Sequence, residues 1–179
     1  MQHRRRRTVA IIMLTGLSVG IALFCTGWWG GLRLNATPSY PLGFWRIAIL
    51  TRPAAIGDRI FICLPPGPAL ELGRERGYLR GGLCPEGSSP LIKTITALPG
   101  QAVEVGDSVT IDGRPLPYSR VHSVDADGRA LAAYAGGRVP SGHVFLHSDF
   151  PGSYDSRYFG PVPDAGILGL AEPVLTLRR

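Results

Sequence analysis

The 179-residue sequence holds a single lysine, Lys93; the other eighteen basic residues are arginine. A chain that writes its positive charge as Arg does not depend on Lys for solubility or ion pairing. An isolated Lys points to a task closed to Arg, which stays charged at every accessible pH. A buried Lys can lose its proton and act as a base. Cysteine is scarce too. Cys25, Cys63 and Cys84 match no metal-ligand spacing, so a zinc module is excluded and neither metal nor cofactor is expected. Charged residues make up only 18% of the chain, and four of the six net positive charges come from the arginines at 4–7. The remainder is nearly balanced and has no basic stripe with interleaved aromatics, which excludes a nucleic-acid surface.

Between residues 8 and 32 charge is missing altogether. That run exceeds the about 20 apolar residues needed to cross a hydrocarbon core. Trp28 and Trp29 at its far end suit a membrane interface, and the preceding arginines put the N-terminus on the cytoplasmic side. A cleavable secretory signal is the competing reading. The run is long for one, and Leu34-Asn35-Ala36-Thr37 is a poor small-residue cleavage site, which favours a retained anchor. The expected organisation is a basic N-terminus and transmembrane anchor over 1–32, in contact with membrane lipid, and an exported domain over 33–179.

What the chain has in plenty is Gly (24) and Pro (16), alongside 45% hydrophobic residues. That mixture predicts many turns and short strands. Two strands are expected within 46–64, a short exposed helix over 69–80, and a strand at 91–98. Alternating runs at 102–105 and 108–111 meet Gly-Asp and Asp-Gly turns, a hairpin signal. Further strands are expected at 143–147, 167–171 and 174–177, with a loop and weak strands over 119–138. The soluble part therefore reads as mainly β, mixed and mostly antiparallel. Cys63 and Cys84 bracket the 69–80 insert. A disulfide closing about 20 residues would contribute roughly 3 kcal/mol; two free thiols are the alternative.

Three stretches carry chemistry. Lys93 lies in a β-branched run between Pro90 and Pro99-Gly100 that predicts a strand, where aliphatic neighbours would lower its pKa. Ser39 sits in a Pro/Gly-rich loop just beyond the apolar run, a setting in which serine is ordinarily a turn residue. The loop at 148–161 is dense in hydrogen-bonding side chains. Together they supply a serine–lysine hydrolase: a neutral amine takes the hydroxyl proton, and fixed donors stabilise the oxyanion. A different set, Ser with His143 or His147 and Asp149, is disfavoured because adjacent strand residues point to opposite faces. A non-enzymatic envelope scaffold is the third reading.

Three blocks resemble the type I signal peptidases, and specifically the conjugal-transfer subgroup called TraF. They are Thr37-Pro38-Ser39-Tyr40-Pro41-Leu42-Gly43, then Leu91-Ile92-Lys93-Thr94 with Leu98-Pro99-Gly100, then Ser148-Asp149 with Gly152-Ser153-Tyr154-Asp155-Ser156-Arg157-Tyr158-Phe159-Gly160. The resemblance implies a signal-peptidase-type β domain with Ser39 as nucleophile and Lys93 as general base. It implies an oxyanion hole from the Ser39 N–H with help from the Thr37 hydroxyl. Ser153 would orient Lys93, and Asp155 and Arg157 would form a supporting ion pair, with Asp155 open to a more direct part in maturation. The paired cysteines resemble that subgroup too. The expected substrate is an exported, pilin-like precursor, cut and in some cases cyclised, with the conjugative secretion machinery as a further partner. The expected location is a bacterial inner membrane, single-pass, with a periplasmic catalytic domain. A general type I signal peptidase is the alternative within the enzyme class. Tyr40 stands where bacterial signal peptidases usually carry Met, and its ring is expected to reshape the substrate groove. Ser148-Asp149-Phe150-Pro151 also departs from their Gly-Asp-Asn-Arg opening, and the 119–138 region is short. These departures favour a specialised enzyme.

Overall fold

The computed structural model describes residues 2–177, without the side chains of residues 2, 3, 8, 10, 23 and 28. The interfacial role expected of the Trp28 side chain therefore falls outside the described residues. The uncharged run forms helix α1 (Gln2–Trp29). Within it, Arg4–Gly27 is long and apolar enough to cross a membrane, and its most apolar 18-residue window has a mean hydropathy of 2.3. Gly30-Gly31 ends the helix, and the Gly31 carbonyl accepts a 2.9 Å bond from the Ile47 N–H, which ties the helix end to the β domain.

The domain is built on two antiparallel sheets. Strands β1 (Leu32–Asn35), β2 (Gly43–Ala48), β3 (Arg59–Ile62), β4 (Leu91–Ala97), β5 (Ala102–Val105), β6 (Val109–Ile111) and β7 (Arg114–Pro115) are followed by β8 (Gly137–Arg138), β9 (His143–His147), β10 (Val162–Pro163) and β11 (Ile167–Thr176). The large sheet runs β1-β2-β11-β3-β4-β9-β10 and the small one β7-β6-β5-β8. Every pairing between these strands is antiparallel, so the expected mainly β class holds. Asp112-Gly113 makes the β6–β7 hairpin with both residues at positive φ (49° and 73°), the conformation that a tight two-residue turn needs.

Alternation decides the packing. On one face of the large sheet Ile60, Ile62, Ile95, Val144 and Leu146 form a core with Leu70 and Leu79 of the insert. On the other, Phe145 and Ala97 pack with Val103, Val109 and Val139, while Trp45, Phe61 and Ile92 form a third cluster. The insert helix α2 (Pro68–Glu75) is shorter than expected, because Gly77 at φ 73° turns the chain out of the helix. Cys63 and Cys84 are joined in a disulfide that closes this insert. The two strands expected at 167–171 and 174–177 are one continuous β11, with a register shift between Pro173 and Leu175 where Pro cannot serve the ladder. Strand β1 was not expected; it starts three residues after the helix ends. The apolar stretch at 48–50 continues β2 only as far as Ala48.

One apolar face stays open. Leu34, Phe44 and Leu175 lie side by side across β1, β2 and β11, all exposed, at the end of β1 and β2 that leads into the 36–42 loop.

Candidate active site

Ser39 sits on the loop between β1 and β2, ten residues after helix α1 ends at Trp29. Asn35 organises that loop. Its Nδ2 donates to the carbonyls of Thr37, Tyr40 and Pro41 at 3.0–3.1 Å, and its Oδ1 accepts from the Thr37 N–H and hydroxyl. The loop closes at Gly43, where φ is 133° and an added Cβ would lie 2.2 Å from the Leu175 carbonyl oxygen, so only glycine fits. Two further bonds hold the turn: Trp45 Nε1 donates to the Pro41 carbonyl at 3.0 Å, and Ser148 Oγ donates to the Ser39 carbonyl at 2.7 Å. Among the described residues the Ser39 N–H makes no hydrogen bond.

Tyr40 does not face the groove. Its hydroxyl shares a 2.7 Å bond with Thr94 Oγ1 and donates to the His147 carbonyl at 3.3 Å. Its ring meets Trp45 edge-on, beneath the Arg59 guanidinium. The expected reshaping of the groove by this ring is replaced by an anchoring role. The loop is pinned to β4 and β9 through the Tyr side chain.

Lys93 is in the middle of β4, opposite Ile60 of β3, and is 1% exposed. Burial pulls its pKa from 10.5 down to about 8; the Asp155 carboxylate draws it back up and Arg157 pushes it down. Its Nζ donates to Ser153 Oγ at 2.5 Å, and Ser39 Oγ lies 3.5 Å from the same oxygen. Ser153 thus bridges Ser39 and Lys93, and all three line one cavity of about 610 Å³.

The loop that presents Ser153 is held by a buried ion pair. Asp155 caps the short helix α3 (Ser156–Phe159) by accepting from the Arg157 N–H. The Arg157 guanidinium returns to both Asp155 oxygens at 2.8 and 2.9 Å and also donates to the carbonyls of Arg120, Phe150 and Ser153. Both residues are fully buried. Asp155 accepts from the Ser148 N–H as well, so the same carboxylate braces the serine that holds Ser39.

The histidine alternative meets the strand geometry. His147 pairs with Thr94, so it projects from the face of the sheet opposite to Lys93. It is 2% exposed, and its Nε2 has no partner among the described residues. Burial lowers its pKa, with Asp155 opposing. Its Nδ1 is 3.7 Å from Asp149, and neither residue lines the cavity. His143 is at the start of β9, bonded to its own turn at the Ser141 carbonyl. Among the described residues no His/Cys/Asp/Glu cluster has the makings of a metal site.

Asn35 and Ser148 escaped the sequence reading as loop-holding groups. The Asn35-x-Thr37 spacing, an Asx-turn pattern ahead of a proline, was the available signal for the first. The second lay inside a recognised block.

The family described as "Signal peptidase, peptidase S26" matches residues 4–176. The conjugal transfer protein TraF of Agrobacterium tumefaciens (strain 15955) is 56% identical over 179 residues, covering 99% of each chain. A second conjugal transfer protein TraF, from Agrobacterium fabrum strain C58, is 53% identical over 94% of this chain and 92% of its own length. A plasmid transfer protein TraF of Escherichia coli is 34% identical over 88% of this chain and 91% of its own length. An apolar helix feeding a β domain, with an isolated buried lysine joined to a loop serine through a second serine, is thus carried by a chain that belongs to the signal peptidase family, peptidase S26.

Proposed function

We propose that the chain is a membrane-anchored serine endopeptidase in which Lys93 activates Ser39 to cut an exported, pilin-like precursor in conjugal transfer. The observation that carries this reading is the Ser153 bridge. One hydroxyl contacts both the Ser39 oxygen and a buried amine whose pKa is about 8. The names of the TraF relatives supply the setting. In this reading residues 1–32 anchor the chain in a bacterial inner membrane, with the N-terminus cytoplasmic, and 33–179 act in the periplasm. The exposed apolar patch of Leu34, Phe44 and Leu175 supports that placement, since it would rest against lipid.

Neutral Lys93 takes the Ser39 hydroxyl proton as Oγ adds to the scissile carbonyl carbon. The free Ser39 N–H faces the oxyanion that forms. The Thr37 hydroxyl, now donating to Asn35, would have to turn to join it. On collapse the C–N bond breaks, and the Lys93 ammonium passes its proton to the leaving amine, leaving an acyl group on Ser39. Water then releases a new carboxylate. An amine from the other end of the substrate would instead form a new amide and close a ring. Ser153 positions Lys93, while Asp155 and Arg157 hold the loop.

Co-expression with the pilin precursor encoded alongside, followed by intact-mass measurement, tests the reading. Loss of a peptide mass that depends on Ser39 reports cleavage, and a further loss of one water reports cyclisation. Cleavage only of ordinary secretory precursors would move the assignment to a general signal peptidase. An untouched precursor in the presence of the wild-type chain would defeat it.

The pH profile follows from the base. A lowered Lys pKa means that the free amine is lost as pH falls, so kcat/KM should drop about tenfold per pH unit below a midpoint near 8. A rate constant over pH 6–8 would remove Lys93 as the base.

A further inference from the structure

The cavity that holds Ser39 and Lys93 extends well past them. Its far wall comes from the disulfide-closed insert, through Gly77, Tyr78 and Arg80, and from the 122–131 loop. A clasp at Asp125 joins the two segments. Its carboxylate accepts from the Tyr78 hydroxyl, from Arg129 Nε at 2.7 Å and from Arg76 Nη1 at 3.5 Å. Burial alone would raise the Asp125 pKa, but the bonds from Tyr78, Arg129 and Asp127 outweigh it and hold the group well below the usual carboxylate range. Arg76 also donates to the Ala130 carbonyl at 2.8 Å, so the wall is cross-linked at several points.

The clasp leaves an imbalance of charge. Besides His122 and three tyrosines, three ionisable side chains line the cavity: Lys93, Asp125 and Arg80. Lys93 donates to Ser153, and Asp125 is covered by two guanidinium groups. Arg80 has neither a hydrogen bond nor an ion pair from its guanidinium among the described residues. Its backbone is nonetheless fixed. The Arg80 carbonyl accepts from the Ser89 N–H at 2.7 Å, beside the Gly81–Ser88 bridge and four residues before Cys84. A planar fork of donors on a pinned backbone suits a carboxylate held through two parallel bonds.

Building on the peptidase reading, we propose that Arg80 recognises a carboxylate on the peptide substrate, so that an acidic group near the scissile bond selects what enters the cavity. That carboxylate belongs either to an Asp or Glu side chain or to a free chain end. The chemistry is shared, and the substrate forms below separate the two sources.

The test uses full-length protein carrying Ser39→Ala, which binds without turnover. Peptides tiling the ends of the pilin precursor are made in three forms: unaltered, with Asp and Glu replaced by Asn and Gln, and with the terminal carboxylate amidated. The unaltered form of at least one peptide should bind about tenfold more tightly than one neutralised form. That difference should vanish when Arg80→Gln is added, and the neutralised arm that loses affinity names the source. Equal affinities for all forms, a preference that survives Arg80→Gln, or no binding of any peptide overturns the proposal. The peptidase reading fails separately, when peptides bind yet the Ser39 enzyme leaves them intact.

Discussion

Lys93→Arg is expected to reduce kcat/KM on order of 10⁴-fold, the upper end of what a general base supplies. At pH 7 an amine with a pKa of about 8 is free in about one molecule in ten. A guanidinium is never free at that pH. Arg is also larger, and its site is 1% exposed and walled by Ile60 and Ile95, so misfolding must be separated from lost chemistry. Lys93→Met does so, because it keeps the length and removes the charge. The sign of the linkage predicts that this variant is more stable than the parent. The folded pKa lies below the unfolded one, so the unfolded chain binds the extra proton between pH 8 and 10.5 and parental stability rises across that window. At neutral pH the buried amine therefore costs about 3 kcal/mol at most, part of it offset by the bond to Ser153. Lys93→Met should be inactive, with a thermal midpoint raised by the equivalent of about 1–3 kcal/mol. Activity within tenfold of wild type in either variant would end the proposed role of Lys93 as base. A Met variant less stable than its parent would show that burial of the amine is not costly.

Arg157→Ala is expected to cost about 3–5 kcal/mol of folding stability. The arginine is fully buried, holds both oxygens of Asp155 and donates to three loop carbonyls. Truncation leaves the Asp155 carboxylate buried with only backbone donors, from Ser148 and residue 157, to satisfy it. It also frees the Ser153 carbonyl, so the hydroxyl between Ser39 and Lys93 loses its support. Denaturant unfolding should show the stability loss. Activity measured where the variant is still folded should fall through kcat more than KM, because geometry rather than binding is disturbed. Arg157→Lys should recover little of either, since one ammonium cannot replace a bidentate fork. A mild variant, with less than about 1 kcal/mol lost, would show that the loop holds Ser153 without this pair.

Much of the site was legible because its chemistry is local. Lys93 stood out by its isolation and by the β-branched residues around it, and β4 forms where those residues predict a strand. The 148–161 loop was legible as a hydrogen-bonding hub, and its buried pair lies two residues apart in sequence. Contacts across long separations were not legible. Tyr40 finds Thr94, 54 residues on, and so turns inward instead of into the groove. Strand β1 has four residues and no alternation strong enough to stand out beside the apolar helix. The far wall of the cavity depends on Asp125 meeting Tyr78 and Arg76 across nearly 50 positions, a pairing that composition and spacing do not encode.

The Cys63–Cys84 link has a practical corollary for handling the protein. Tyr78 and Arg80 sit on the segment it closes, and that segment forms one side of the cavity. Dithiothreitol in a purification buffer, or expression in a reducing cytosol, would loosen that side while leaving Ser39, Lys93 and the ion pair in place. On the proposed roles of Ser39 and Arg80, such a preparation would keep the Ser39 hydroxyl yet discriminate poorly among peptides, so a sluggish, unselective sample calls for a thiol titration before any conclusion about the protein.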